Sequence, residues 1–91
     1  MAIWGEYVAE FSYGDVYSRE GLSLKERQIA AIAMLASKTG VEPMLRIPIK
    51  GGLNVGLSYR QIEEIIIQSA LFSGFASAIL ALSVLQEFRD K

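Results

Sequence analysis

The segment Ile65–Gln86, IIIQSALFSGFASAILALSVLQ, decides the fold. It carries no charged residue and is long enough to cross a bilayer. A helix that is apolar on all sides is buried either in lipid or in a protein core. Gln68, Ser69, Ser73, Ser77 and Ser83 punctuate the run, and Gly74 interrupts it near the middle. These features favour a pair of buried helices over a membrane span. The break is expected at Ser73–Gly74, with the last helix running from about Phe75 to Asp90.

Upstream, Ser58-Tyr59-Arg60-Gln61 fits the capping box, with glutamine in the place of glutamate. It opens a helix whose core face is Ile62, Ile65, Ile66 and Ala70. Ile67 and Leu71 widen the apolar face beyond what one neighbour covers. Ser23-Leu24-Lys25-Glu26 is a second capping box. Ile29, Ile32, Ala33 and Ala36 follow at helical spacing. Gly40 is the expected C-cap, after the cation Lys38.

Between these helices lies Gly40–Gly56, GVEPMLRIPIKGGLNVG, with both prolines of the chain. A helix is expected to start near Glu42, with Pro43 in its first turn. An interior proline costs about 3 kcal/mol, so the helix is kinked at Pro48 or begins there. Gly51-Gly52 weakens it and Gly56 closes it. Residues 2–17 have helix-compatible apolar spacing, and Ser18–Gly21 reads as a turn. The whole is an all-α chain of four or five helices, forming one domain over residues 1–91.

Composition narrows the chemistry. With 52% apolar residues in 91, the chain is richer in apolar side chains than so small a core can bury. The surplus is expected to face another subunit. Nine basic against ten acidic residues argue against a dedicated nucleic-acid binder. The chain has no cysteine and no histidine, which removes thiol chemistry, thiolate metal sites and the commonest general base. No metal or cofactor is expected. The opening residues, with Trp4, Glu6 and Glu10, do not read as a signal peptide, and a cytoplasmic protein is expected.

Few side chains offer themselves for catalysis. Arg46 and Lys50 are four apart and share a helix face if the turn survives Pro48; together they suit a carboxylate or phosphate. The plainer reading is a solvated face with Glu42 paired to Arg46. Asp15 sits among Phe11, Tyr13, Val16 and Tyr17, a setting that suits a general acid or base, although it serves equally as a turn cap. Glu63 and Glu64 diverge by about 100° on a helix and read as surface charge. Ser73 has no histidine to activate it.

Four stretches resemble the carboxymuconolactone decarboxylase family. The run Phe11–Leu22, FSYGDVYSREGL, is similar to its opening segment, an aromatic–Gly–acid–β-branched–Trp–Ser–Arg–Pro–Gly–Leu pattern. Leu24–Ile29 resembles its helix start, Gly51–Leu57 its "ALNNGVT"-like close, and Ser69–Ala78 its "AVYAGFPAA"-like turn of the final helix. The resemblance implies an alkyl hydroperoxidase D-like helical bundle assembling as homo-trimers or hexamers, with the pocket at subunit contacts. It also implies action on a small carboxylated molecule. Relatives similar to alkyl hydroperoxidase D use a Cys-x-x-Cys pair, a histidine and an upstream glutamate as thiol peroxidases. Here Val41 and Met44 stand where the cysteines would be, Pro48 where the histidine would be, and Gln28 near the glutamate. Thiol peroxidase activity is excluded by the missing sulfur. Two readings stay open: a decarboxylase-like enzyme using Asp15 with Arg46 and Lys50, and a non-catalytic homo-oligomer that binds a ligand or partner.

Overall fold

The computed structural model describes residues 14–38, 40 and 42–89. Among these residues the chain is helical throughout, with no strand. In order come α1 (Leu24–Ala36), a 3-10 turn (Glu42–Leu45), α2 (Arg46–Asn54), α3 (Tyr59–Ser73), α4 (Phe75–Leu85) and a closing 3-10 turn (Gln86–Phe88).

Both capping boxes are formed. The Ser23 hydroxyl accepts from the Glu26 amide at 3.1 Å, and the Glu26 carboxylate accepts from the Ser23 amide at 2.8 Å. The Ser58–Gln61 pair does the same at 3.0 and 2.9 Å. Each satisfies two amides that a helix start leaves without partners. The carboxylate of Glu26 is held below the usual glutamate range, chiefly by the Ser23 amide and then by the Ser23 hydroxyl.

Two helix ends differ from expectation. Helix α1 stops at Ala36 with Ser37 as its C-cap, short of Gly40. The Ser37 hydroxyl donates to the Met34 carbonyl, and the Lys38 amide to that of Leu35. These tight i→i−3 bonds close the helix early. Helix α4 ends at Leu85, and Gln86–Phe88 continue as a 3-10 turn; Asp90 lies outside the described residues.

Pro48 is accommodated at a boundary. The segment turns from 3-10 to α-helix at Leu45–Arg46, which makes Pro48 the third residue of α2. Its missing N–H is one of the first-turn amides that have no intrahelical partner in any case. The proline thus places the start of α2 rather than bending its middle.

The expected break at Ser73–Gly74 separates α3 from α4. Gly74 has φ 93° and ψ 162°, a region that only glycine occupies without strain. The uncharged run is thereby split, and no described helix is long and apolar enough to cross a membrane. Helices α3 and α4 pack back on each other more extensively than any other pair, and α1 lies across both. The core draws on every helix: Ile32 and Ala36, Leu45 and Ile49, Ile62 and Ile66, Ala78, Ala81 and Leu85.

Helices α1 and α2 cross at the glycine pair. A Cβ on Gly51 would lie 2.8 Å from Gln28 Nε2, and one on Gly52 would lie 3.0 Å from Leu57 Cδ1 and 3.3 Å from Ile32 Cδ1. Gln28 and Ile32 are one turn apart on α1 and stand over successive glycines of α2. The pair that weakens α2 by propensity is what lets the two helices approach.

Candidate functional site

Gln28 is buried at this crossing, on α1 against the backbone of α2. Its Oε1 is buried and has no hydrogen-bond partner. Leaving a buried acceptor unpaired costs about 1–3 kcal/mol. The neighbouring Arg27 donates from Nη2 to the Arg19 carbonyl at 3.0 Å, and its Nε is buried without a partner. Pro48, also on α2, is buried, whereas Met44 on the preceding 3-10 turn is exposed. Val41 lies outside the described residues. These positions present an amide, a thioether and an imino-acid ring, none of which moves a proton near neutral pH.

Arg46 is the first residue of α2, and its described partner is Glu87 rather than the expected Glu42. Its Nε donates to Glu87 Oε1 and its Nη2 to Glu87 Oε2, both at 2.7 Å. This is the parallel two-point pairing of guanidinium and carboxylate. The carboxylate, first through these hydrogen bonds and then through its charge, raises the Arg46 pKa above its ordinary value. Arg46 Nη1 also reaches the Pro43 carbonyl, at 3.5 Å. The side chain of Glu42, the partner expected from helical spacing, lies outside the described residues. Glu87 is forty-one positions away in sequence, and no local pattern could have found it.

Lys50 follows Arg46 by one regular turn of α2 and is exposed. It makes no hydrogen bond or ion pair with a described residue. Asp15 is exposed at the start of the described chain, in a short turn over residues 14–16. Val16 and Tyr17 beside it are half-buried; Phe11 and Tyr13, the other aromatic neighbours read from sequence, lie outside the described residues. The Glu63 and Glu64 carboxylates both pair with Arg60, at 3.1 Å each, as surface charge.

Two of the grooves formed by described residues lie along α3. One, of about 330 Å³, runs between α1 and α3 and is lined by Ile29, Ala33, Met34, Ser37, Ile65, Gln68, Ser69 and Phe72. The other, of about 430 Å³, lies beside the α3–α4 elbow and is lined by Glu64, Ile65, Ile67, Gln68, Ala70, Leu71 and Phe75. Neither is lined by Asp15, Arg46 or Lys50. Leu71, Phe72, Phe75 and Ile79 are 80%, 86%, 77% and 62% exposed, so the elbow is an open apolar surface. No group of three or more potential metal-ligating side chains occurs among the described residues.

The described residues form a helical scaffold with Gln28 at its central crossing, and the chain has neither thiol nor imidazole chemistry. Its sequence matches the carboxymuconolactone decarboxylase family over residues 4–87, and the chain belongs to that family. It is 29% identical over 85 residues to 4-carboxymuconolactone decarboxylase of Acinetobacter baylyi (strain ATCC 33305 / BD413 / ADP1), covering 92% of this chain and 63% of that protein. It is 32% identical over 78 residues to an uncharacterized 15.0 kDa protein of the nqo9-nqo10 intergenic region of Paracoccus denitrificans, covering 85% of this chain and 58% of the relative. Nitrosuccinic acid decarboxylase npaB of Metarhizium robertsii (strain ARSEF 23 / ATCC MYA-3075) is 29% identical over 83 residues, with 90% and 57% covered. The chain spans about three fifths of the length of these curated relatives.

Proposed function

We propose that this chain is a decarboxylase-like member of its family that acts on a small carboxylated molecule, as a cytoplasmic homo-oligomer assembled through the exposed face of α3 and α4. The observation that carries the substrate class is the two-point hold of Arg46 on a carboxylate, with exposed Lys50 one turn further along α2. Two relatives are named as decarboxylases of acids that also bear a lactone or a nitro group. Such acids carry their own electron sink. When the carboxylate leaves as carbon dioxide, the bonding pair passes into the lactone carbonyl or the nitro group, and a proton then returns to carbon. The protein's part is to hold one carboxylate, to strip water from the other and to place a proton donor. In this proposal Arg46 and Lys50 hold the substrate, and Asp15 is the acid. None of these roles needs a thiol or an imidazole.

The test is release of carbon dioxide from 4-carboxymuconolactone and from nitrosuccinate, against a buffer blank. Arg46→Gln and Asp15→Asn are expected to lower it at least tenfold. Activity unchanged in both variants would remove these residues from the reaction. The vacated positions at Gln28, Met44 and Pro48 favour a second reading, a ligand-binding oligomer without turnover. It predicts saturable binding of these acids with no carbon dioxide released.

A further inference from the structure

We propose that Glu87 is a built-in competitor for the carboxylate site at Arg46, so that a small dicarboxylate binds by exchange: one carboxylate displaces Glu87 from the guanidinium and the other meets Lys50. The inference rests on the reading of Arg46 as a carboxylate-binding residue and adds how that site is regulated.

The geometry supports an exchange rather than a fixed clasp. Arg46 offers its Nε–Nη2 edge, and both Glu87 oxygens lie 2.7 Å from it. That is the arrangement a ligand carboxylate adopts on arginine. The two side chains are 47% and 45% exposed, so water and solutes reach the pair. A half-exposed ion pair is open to competition, because solvent screens its charges and two long side chains must be ordered to make it. The supporting backbone need not move. Glu87 rides on the Gln86–Phe88 turn, which is anchored by buried Leu85 before it and by Phe88, packed against the core. Turning the Glu87 carboxylate away from Arg46 opens the fork. The Pro43 carbonyl, 3.5 Å from Nη1, helps keep the guanidinium oriented meanwhile.

Lys50 supplies the advantage of a dianion over Glu87. It shares the α2 face with Arg46 and has no described partner. A diacid that spans one helical turn engages both cations at once. The second contact is made without a second loss of free motion, which is how two linked weak contacts outcompete one.

The test is titration of the whole chain with succinate at constant ionic strength, read at the Arg46 Nε–H resonance by NMR. The signal is expected to move saturably. In Glu87→Gln the apparent affinity should rise about two- to fivefold, the size of an exposed pair's coupling. Lys50→Gln should weaken succinate binding but leave the response to acetate unchanged. Glu87→Ala serves as a second release of the site, and the remaining resonances report that each variant is folded. Equal affinity in the parent, Glu87→Gln and Glu87→Ala overturns the proposal, as does an Arg46 signal that ignores succinate in all of them. The readout is binding, so its failure is distinct from failure of the decarboxylase reading. A responsive Arg46 without carbon dioxide release sustains the exchange and ends only the catalytic claim.

Discussion

The crossing of α1 on α2 and the hairpin of α3 with α4 solve opposite problems. At the crossing, two glycines remove side chains so that two helices of mixed composition approach closely, and Ile32 and Ile49 are fully buried there. In the hairpin, large apolar side chains cover more of each helix than one core can take. Ile66 is 0% exposed and the adjacent Ile67 is 47% exposed, although the two are chemically identical. Burial in this chain is therefore decided by which face a residue occupies. The outward face of α3 and α4 remains in water unless something covers it.

The largest effect expected from this contrast is in the core. Ile66→Ala should cost about 2–5 kcal/mol, the lost burial plus the cavity left behind. Ile67→Ala should cost far less in a monomer. If the two substitutions prove equally costly in chemical denaturation, Ile67 is buried by a neighbouring subunit. Charge substitution sharpens the same point: Ile67→Glu and Leu80→Glu, both at exposed positions, should split or precipitate an assembly that uses this face, because an unpaired carboxylate is strongly disfavoured when buried.

Next in size are the glycines. Gly52→Ala places a methyl group against Leu57 and Ile32 in the core and should destabilise by about 1–3 kcal/mol through overpacking. The nearest atoms that Gly51→Ala meets belong to the end of the Gln28 side chain. There the gain in helix propensity, about 1 kcal/mol, offsets the displaced amide, and the net change should be small. Combined with Gln28→Ala, the same substitution should become stabilising. Thermal melts of the single and double variants check both signs.

Smaller still is the cap. Ser58→Ala should cost about 1 kcal/mol by removing the hydroxyl that serves the Gln61 amide. The acid dependence of the other cap is directional. Glu26 is held below its ordinary pKa in the folded chain, so its contribution is complete above the ordinary glutamate value. That contribution falls away as pH drops from there through the depressed value. Glu26→Gln should flatten this part of the stability–pH curve; an unchanged slope would mean the bond is not kept in solution.

What could be read from sequence was local. Both capping boxes, the break at Ser73–Gly74 and the excess apolar surface of Ile65–Leu85 follow from residues within a few positions of one another. The early end of α1 was hidden because Ser37 closes the turn with its own hydroxyl before Gly40 is reached. The Gly51-Gly52 pair was legible as a weak helix but not as a crossing point, since the residues it admits lie on another helix. The site was the least legible part. The chemistry of Arg46 marks it as a candidate for holding a carboxylate, whereas its partner Glu87 joins it only through the packing of the closing turn against the core.

The measurement that bears most directly on the central claim is the mass of the protein in solution, by light scattering coupled to size exclusion at micromolar concentration. An outward face with Leu71, Phe72 and Phe75 more than three-quarters exposed predicts an assembly, and the family resemblance puts its expected mass at three or six times the 10.0 kDa of the chain. Such an assembly should be lost in Leu80→Glu. A stable, monodisperse species of 10.0 kDa would contradict it.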